Sequence, residues 1–356
     1  MSSNTTSHPK GRGAGNNVVS RFVELKREAV DDGWEPAERS PLRTELFTDN
    51  SRTIISHNDS PDVPFTASIN PYKGCEHGCC YCFARPTHAY LDLSPGLDFE
   101  SKIFAKPGAA RLLTNELGKR NYVPEVIALG ANTDAYQPVE REMRITRSLL
   151  EVLKAHNHPV AIITKSALIE RDIDLLAPMA EARLVRVFVS VTTLDRTLSR
   201  RLEPRAAAPQ RRLETIRHLK QAEIPVGVLM APIIPVLNDS EIEQLLGQCA
   251  AAGAESASYV ILRLPHELKD LFVQWLQEYY PLKAEHVMNR IRDLRDGREY
   301  QSDFGERMRG SGQYADLIAH RFTLACKKQG LNRRRLELDC SKFRVPPKSG
   351  DQMGLF

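Results

Sequence analysis

The sequence predicts an α/β protein with a parallel central sheet covered by helices. From about residue 65 to residue 280, strand-like and helix-like segments alternate along the chain. The strand-like segments are nearly continuous apolar runs, which is typical of strands buried on both faces in a parallel sheet. The chain has 356 residues, of which 42% are hydrophobic and 26% charged. This composition is ordinary for a globular protein, and the length allows one large domain or two smaller ones.

The alternation amounts to six strand–helix units. The predicted strands cover residues 65–70, 125–130, 159–165, 184–191, 226–232 and 257–264. The predicted helices cover residues 108–119, 141–156, 172–182, 209–222, 240–252 and 268–280. Six such units fit a partial barrel with an open side, and they also fit a doubly wound open sheet.

Different compositions flank this core, which we assign to residues 61–282. The flanking parts are a disordered leader at 1–17, an N-terminal extension at 18–60, a charged C-terminal extension at 283–345 and a flexible tail at 346–356. The C-terminal extension contains a predicted helix at 313–329 and a predicted strand around Leu336, Leu338 and Cys340.

The sequence indicates no membrane partner. Its leader lacks the apolar run of a secretory signal, and no stretch approaches the roughly 20 apolar residues that cross a bilayer. We therefore expect a cytoplasmic protein, where the reducing environment suits thiolate ligands better than disulfides. The formal charge of +4 allows an anionic partner without requiring one.

Four of the seven cysteines fall within eight residues. Cys75, Cys79 and Cys82 have the spacing C-x3-C-x2-C, and three thiolates this close can hold three irons of a 4Fe–4S cluster while the fourth iron stays open. Cys80 falls outside that spacing and is expected to pack. Because the run follows the first predicted strand, it lies at the carboxyl edge of the sheet, where ligand sites of such folds lie.

The alternative for the cysteine run is a structural zinc site. Such a site takes His77 or His88 as the fourth ligand. Structural zinc sites usually combine two short ligand pairs separated by a longer spacer, and this sequence has one such pair. The spacing therefore favours the iron–sulfur cluster.

With its surroundings, the cysteine run resembles the radical S-adenosylmethionine enzymes. The resemblance implies a partial (β/α)6 barrel, a 4Fe–4S cluster and S-adenosylmethionine as cofactors. It also implies that the methionyl amine and carboxylate chelate the open iron, and that reductive cleavage yields a deoxyadenosyl radical. An external electron donor such as flavodoxin or ferredoxin is then required.

The resemblance assigns further site residues. Asn132 and Thr133 follow the second strand, Lys165 ends the third and Ser190 ends the fourth, and these four are expected to bind the cofactor. Tyr81 precedes the third cysteine, where an aromatic side chain is expected to shield the cluster and to take a catalytic role. The alternative for Lys165 is a strand end that faces solvent.

Several motifs resemble the branch of this family related to spore photoproduct lyase. They are residues 70–75, 82–86 and 164–166 and the pair Glu203-Pro204. Two departures argue against an authentic lyase: no cysteine lies between Cys82 and Cys249, and Phe83 stands where the lyases have tyrosine. We therefore expect a radical enzyme with a different reaction.

Two features indicate nucleic acid. Arginines cluster at 200–212 and at 333–335, either as phosphate ligands or as a solvated, ion-paired face. At the C-terminus, Gln352, Leu355 and Phe356 resemble the peptide that binds the bacterial DNA sliding clamp, the alternative being a frayed tail. We expect a substrate in nucleic acid, with DNA repair as the setting. The alternatives are modification of RNA or protein, or a non-catalytic iron–sulfur adaptor recruited to the clamp.

Overall fold

The computed structural model describes residues 9–22, 42–334 and 337–346. The strands, in chain order, are β1 (Glu45–Thr48), β2 (Ile55–His57), β3 (Ala67–Ile69), β4 (Tyr72–Lys73), β5 (Lys102–Ala105), β6 (Ile127–Leu129), β7 (Val160–Thr164), β8 (Val185–Ser190), β9 (Val226–Ile233) and β10 (Ser256–Ile261).

The α-helices surround these strands. In chain order they are α1 (Leu97–Ser101), α2 (Ala109–Leu117), α3 (Glu140–Met143), α4 (Ile145–Ala155), α5 (Ile173–Glu181), α6 (Arg196–Leu202), α7 (Pro209–Gln221), α8 (Ile242–Ala252), α9 (Leu268–Tyr279), α10 (Pro281–Asp293), α11 (Glu306–Arg309) and α12 (Gly312–Gln329). Short 3₁₀ helices cover Arg85–Leu91, Ala167–Asp172, Asp239–Glu241 and Cys340–Lys342.

The large sheet has seven strands in the order β10-β9-β8-β7-β6-β3-β2. Six of these strands are parallel to their neighbours and follow one another in chain order: β3, β6, β7, β8, β9 and β10. The seventh strand, β2, is antiparallel to β3. Within the described residues, β2 and β10 each have a single neighbour, so the sheet is open at that side. The predicted α/β fold with six parallel strands is confirmed, and consecutive strand order is the arrangement of a partial barrel.

A smaller sheet, which the sequence analysis did not predict, holds the start of the cysteine run. Its order is β1-β5-β4, with β1 parallel and β4 antiparallel to β5. β4 ends at Lys73, two residues before Cys75. Pairing with β5 therefore fixes the direction in which the chain enters the cysteine run.

One predicted helix is divided into two. Residues 141–156 form α3 and α4, and Arg144 between them has φ of 50°. The carboxylate of Glu140 accepts a hydrogen bond from the backbone N–H of Thr146 at 3.0 Å, near the start of α4. A buried carboxylate thus satisfies an N–H group that the break leaves without a helical partner.

Part of the expected leader is packed in the structure. Arg12, Gly13 and Ala14 are buried, although residues 1–17 are expected to be disordered. The carboxylate of Glu100 accepts hydrogen bonds from the N–H groups of Gly13 and Ala14 at 2.9 and 2.8 Å. Arg12 donates to the carbonyl of Glu100 at 2.7 Å. One buried acid therefore anchors a polar, glycine-rich segment whose composition predicts no order.

The C-terminal part differs from its prediction as well. The helix at 313–329 is confirmed as α12, but residues 337–339 are irregular and Cys340 begins a 3₁₀ helix. Asp339 accepts hydrogen bonds from the N–H and hydroxyl of Ser341, which favours a turn over a strand. Leu336 and most of the 346–356 tail lie outside the described residues. No helix that the structure describes is long and apolar enough to cross a membrane.

Replacing Gly13 by alanine is expected to destabilise the fold. A Cβ atom at Gly13 would lie 1.5 Å from the carbonyl oxygen of Gly78, so the two backbones have to separate. We expect the free energy of unfolding to fall by about 1–3 kcal/mol, as for other overpacked sites. Gly108→Ala is the matched control, because its Cβ meets only an arginine tip at 3.8 Å. Equal denaturant midpoints for the two variants would contradict the packing described here.

Acidification is expected to destabilise the protein through His158. Burial lowers the pKa of His158 to about 4, and its ring lies 2.7 Å from the Tyr122 hydroxyl and 3.0 Å from the Pro159 carbonyl. An unfolded histidine titrates near 6.5, so this contribution is complete above about pH 6.5 and is lost as the pH falls toward 4. It amounts to at most about 3 kcal/mol.

The measurement is denaturant unfolding at pH 7 and at pH 4.5 for the wild type, His158→Gln and the exposed control His57→Gln. His158→Gln should lose less stability between the two pH values than the wild type does. If the free energy of unfolding of His158→Gln depended on pH as it does in the wild type and in the control, His158 would contribute nothing to the acid sensitivity.

Candidate active site

The cysteine run forms a buried loop at the carboxyl edge of the large sheet. Residues 75–81 are all buried, and Cys82 is partly buried. The N–H of Cys75 donates to the carbonyl of Phe99 at 2.9 Å, and the N–H of Cys82 donates to the carbonyl of Cys79 at 3.2 Å. Gly78 has φ of 68°, and a Cβ there would lie 2.7 Å from the Glu100 carboxylate. The turn at Gly78 thus requires glycine.

The three thiols with the C-x3-C-x2-C spacing lie close together. Burial raises the pKa of Cys75 to about 12, with Asp134 and Cys82 adding to the rise. Burial also raises the pKa of Cys79, and Glu203, Cys82 and Cys75 act in the same direction. Burial and neighbouring thiols thus both raise the pKa values of Cys75 and Cys79, which favours their protonated forms. Loading of a metal group here releases protons.

The donor set fits a cluster. Among the residues that the structure describes, no three Cys, His, Asp or Glu side chains are placed to hold one metal ion. In a cluster each cysteine ligates a different iron, so the three sulfur atoms need not converge on a point. Cys80 is buried in an apolar cluster that includes Leu198 and Leu202, and Cys79 belongs to the same cluster.

The two histidines considered for a zinc site have other partners. His77 Nδ1 lies 3.3 Å from the Asp134 carboxylate, and His88 Nε2 lies 3.0 Å from the carbonyl oxygen of Lys102. The ring of His88 also packs edge-on against Phe99. These contacts place both rings in the scaffold of the loop.

A buried ion pair between Arg85 and Glu100 stabilises the cysteine loop. The Arg85 guanidinium is fully buried and lies 2.5 Å from Glu100 Oε1. It also donates to the carbonyl oxygen of Cys79 at 2.8 Å and to those of Pro95 and Gly96 at 3.1 and 2.9 Å. The Arg85 side chain thus fixes the backbone of Cys79, one of the three predicted cluster ligands.

Lys165 and Ser190, both predicted to bind the cofactor, lie side by side. Lys165 Nζ donates to Ser190 Oγ at 3.0 Å, at the carboxyl ends of β7 and β8. Lys165 also lowers the pKa values of Cys79 and Cys82, against the larger effect of burial. Its ammonium group therefore acts on the two thiols, while the Lys165 side chain stays partly exposed.

The polar residues after β6 have a different arrangement. The N–H groups of Asn132 and Thr133 donate to Asn70 Oδ1 at 2.9 and 3.4 Å, and the Thr133 hydroxyl donates to the carbonyl of Tyr72 at 2.7 Å. The hydroxyl of Thr133 is thus engaged in the scaffold, and Asn132 is exposed. Both residues shape the turn that carries Asp134 into the site.

Asp134 is a residue that the predicted site omitted. Its carboxylate accepts hydrogen bonds from the N–H of Lys165 and from the Thr164 hydroxyl, each at 2.7 Å. Burial alone would raise the pKa of Asp134, but His77 and these hydrogen bonds outweigh it and lower the pKa to about 2. An ionised carboxylate thus orients the end of β7 and the loop at His77. Its place in the polar cluster after the second predicted strand was the available signal.

Tyr81 belongs to a buried network. Its hydroxyl donates to the Glu203 carboxylate and lies 3.3 Å from Thr192 Oγ1. Arg212 pairs with the same carboxylate, and the Thr192 hydroxyl donates to it at 2.7 Å. Burial would raise the pKa of Glu203, but Arg212 and Lys165 lower it to about 2. Burial and Glu203 raise the pKa of Tyr81, so its phenol stays neutral.

The arginine cluster predicted at 200–212 divides into separate roles. Arg212 is buried against Glu203, Arg211 pairs with Glu170 at 2.6 Å, and Arg205 pairs with Glu76 at 3.1 Å. These three arginines are therefore ion-paired, which is the alternative that the sequence analysis gave to phosphate binding. Arg200 is exposed, as are Arg333 and Arg334, whereas Arg335 lies outside the described residues.

Two exposed aromatic rings near the loop each have a partly buried arginine over them, and one of these arginines, Arg307, pairs with Asp62. Phe83, which follows Cys82, is 43% exposed, and the Arg263 guanidinium lies over its ring at 5.4 Å. Arg263 Nη1 is 3.5 Å from Met308 Sδ, next to Arg307, which lies over the exposed ring of Phe304 at 4.5 Å. We call Phe83, Arg263, Phe304 and Arg307 the aromatic–arginine face. Sequence periodicity gives no sign of it, because the link from Phe83 to residues 304–307 runs through Arg263 and Met308, which are distant from Phe83 in the chain.

Comparison with known proteins gives relatives of this chain. The Radical SAM superfamily matches residues 69–249. An uncharacterized protein of Mycobacterium tuberculosis is 38% identical over 234 residues, which cover 65% of this chain and 68% of that protein. An uncharacterized protein of Methanocaldococcus jannaschii is 25% identical over 249 residues, which cover 70% of this chain and 88% of that protein.

The solved structures that resemble this fold include spore photoproduct lyase variants. One superposes with a TM-score of 0.52 at 16% identity, over 80% of each chain. Another, with bound AdoMet and dinucleoside spore photoproduct, has a TM-score of 0.51 at 16% identity over 80% of each chain. At this identity the likeness concerns the fold alone.

The superfamily match covers half of the chain and includes the whole cysteine loop and strands β4 to β9. Members of this superfamily use a 4Fe–4S cluster together with S-adenosylmethionine. The alternative of a non-catalytic adaptor is therefore set aside. The chain belongs to the radical S-adenosylmethionine superfamily and is a radical enzyme with these two cofactors.

Proposed function

We propose that this enzyme carries out a radical reaction on nucleic acid, with DNA repair as its setting, and that its substrate base contacts the aromatic–arginine face. Cys75, Cys79 and Cys82 are the cluster ligands in this proposal. The bound cofactors supply a deoxyadenosyl radical. The protein has to hold the cofactor, keep water away and bring the substrate to the radical.

Lys165 and Ser190 are positioned to hold S-adenosylmethionine. The ammonium group of Lys165 offers a counter-charge for the methionyl carboxylate beside the three thiols, and the Ser190 hydroxyl offers a second polar contact. Asp134 orients Lys165 by accepting its N–H, while Asn132 and Thr133 fix the turn that holds Asp134. Tyr81 fills the space between the loop and Glu203, which excludes water from that side.

The observation that carries the nucleic-acid proposal is the exposure of Phe83. A large aromatic ring directly after a cluster cysteine is 43% exposed and stacked by a guanidinium group. Proteins bind unpaired bases by stacking them on exposed aromatic rings, since every base has a π face. Arginines beside the rings attract the phosphates and stack on the bases. The position next to Cys82 brings a stacked base close to the cluster.

The relation to spore photoproduct lyase supports the same class of substrate. The lyase structure named above contains a dinucleoside photoproduct together with AdoMet. This chain has no cysteine between Cys82 and Cys249, and Phe83 is incapable of donating a hydrogen atom from a hydroxyl group. We therefore propose a reaction other than that of the authentic lyase. Modification of RNA or protein is the competing assignment.

Removing the Phe83 ring is expected to weaken binding of single-stranded DNA about tenfold, since one base stack is worth about 1–3 kcal/mol. Fluorescence anisotropy with a labelled oligonucleotide measures the dissociation constant. Phe83→Trp should retain binding, and Phe47→Ala on the small sheet, whose ring is 39% exposed, is the matched control. Cleavage of S-adenosylmethionine without substrate should be unchanged in Phe83→Ala.

Three outcomes contradict the nucleic-acid proposal. One is equal binding by the wild type, Phe83→Ala and Phe47→Ala. Another is binding that salt does not weaken, because phosphate contacts depend on ionic strength. Preference for an RNA oligonucleotide of the same sequence over DNA would favour the RNA alternative.

We propose further that the C-terminal tail binds the DNA sliding clamp through Gln352, Leu355 and Phe356. The support is the sequence pattern alone, since residues 347–356 lie outside the described residues. Two apolar anchors on a short peptide suit a preformed pocket.

Replacing Leu355 and Phe356 together by alanine is expected to weaken clamp binding at least about tenfold, because the peptide then lacks its anchors. Interferometry with an immobilised bacterial sliding clamp gives the affinity. Met353→Ala is the control within the same tail, and DNA binding by the enzyme should not change. Equal clamp affinity of the wild type and the double variant would contradict the assignment.

A further inference from the structure

Reductive cleavage of S-adenosylmethionine consumes an electron that has to come from another molecule. The cysteine loop is buried, so the electron has to cross a layer of protein. We propose that the outer side of this loop, formed by residues 10–14, 42–45 and 200–205, is the docking surface for an acidic one-electron carrier protein. This inference does not depend on the substrate.

These three segments cover the loop directly. Gly13 packs backbone to backbone against Gly78, so that no side chain separates them. The N–H of Cys80 donates to the carbonyl of Leu202 at 3.0 Å, and the N–H of Arg205 donates to the carbonyl of His77 at 3.3 Å. A carrier on this surface would face Gly13, whose backbone packs directly on that of Gly78, the residue before Cys79.

Segment 42–45 is the third segment that packs over the cysteine loop. Arg12 donates to the carbonyl of Leu42 at 2.8 Å, and the Thr44 hydroxyl donates to the Glu76 carboxylate at 2.6 Å. Arg205 pairs with the same carboxylate at 3.1 Å. Glu76 therefore joins segments 42–45 and 200–205 to the loop, and Arg12 joins segment 10–14 to segment 42–45.

The charges of the surface fit an acidic partner. Lys10, Arg43 and Arg200 are exposed, and Arg205 keeps 32% of its side chain exposed despite its ion pair. Of the acidic residues in these segments, Glu203 is buried, which leaves Glu45 as the exposed one. Exposed cations around the shortest path to a redox centre accelerate encounters with an acidic carrier.

A redox carrier fits this surface better than nucleic acid does. The three segments contain no aromatic residue, whereas the aromatic–arginine face has two exposed rings. Redox encounters are also characteristically small and transient, so a compact patch of charge suffices. In the transfer, the carrier gives one electron to the cluster and is itself oxidised, and no covalent bond forms or breaks.

The test uses the holoenzyme and a bacterial flavodoxin as the probe. Lys10→Glu combined with Arg43→Glu reverses the charge on one side of the surface, and Arg200→Glu reverses it on the other. Arg334→Glu is the control for net charge: its neighbour Asn332 pairs with Ala257 near the start of β10, at the opposite end of the sheet. Arg12 and Arg205 are left intact because they hold the cover together.

The first readout is binding of oxidised flavodoxin, followed by its flavin fluorescence at low and high salt. We expect the affinity to fall about tenfold in the double variant at low salt, and the difference to shrink at high salt. The second readout is the rate of cluster reduction, followed by absorbance. Reduction by reduced flavodoxin should slow about tenfold, whereas reduction by dithionite should stay within about twofold of the wild type.

Wild-type affinity and reduction rates in these variants would overturn the proposal, as would an equal loss in Arg334→Glu. Loss of oligonucleotide binding with unchanged flavodoxin binding would assign the surface to nucleic acid and would also overturn it. Variants of Phe83 should bind flavodoxin as the wild type does. A failure of the nucleic-acid proposal is therefore distinguishable from a failure of this one.

Discussion

The ion pair between Arg85 and Glu100 is the interaction on which the cysteine loop depends. Both side chains are completely buried, and each bonds the backbone of segments that otherwise have no common element: Cys79, residues 95–96 and residues 13–14. Breaking a buried pair of this kind leaves an unpaired charge and costs about 3–5 kcal/mol. Loss of this pair would also change the positions of the thiols, because the same guanidinium binds the carbonyl oxygen of Cys79.

The site around that loop is organised by a few ionised groups with different tasks. Asp134 and Glu203 both stay ionised, one beside His77 and the end of β7, the other beside Tyr81 and Arg212. Lys165 lowers the pKa values of Glu203, Cys79 and Cys82, so its ammonium group acts on both the acid and the thiols. Polar groups in the interior are therefore matched by partners, and the loop gains a fixed shape without secondary structure of its own.

The sequence predicts the parts of the fold that depend on local pattern. Apolar periodicity locates the parallel strands, and their ends place Lys165 and Ser190 together, as found at 3.0 Å. The cysteine spacing likewise predicts the cluster. The packing of residues 9–22 has no such signal, because polar and glycine-rich composition suggests disorder and the order depends on the distant Glu100. For Arg212 the alternative to phosphate binding is a solvated face with ion pairs, and nothing local shows that its pair with Glu203 is buried.

The open side of the barrel has a consequence for how specificity is encoded. The turn between β2 and β3 is joined to α11 through Asp62 and Arg307, and α11 packs on β10 through the stacking of Arg309 on Tyr259. All these residues lie outside the range 69–249 that the superfamily shares. The contacts across the open side of the barrel, between edge strands β2 and β10, are thus made by two segments that are far apart in the chain. Changes in those segments are therefore expected to reshape the open side of the barrel without altering a residue of the shared core.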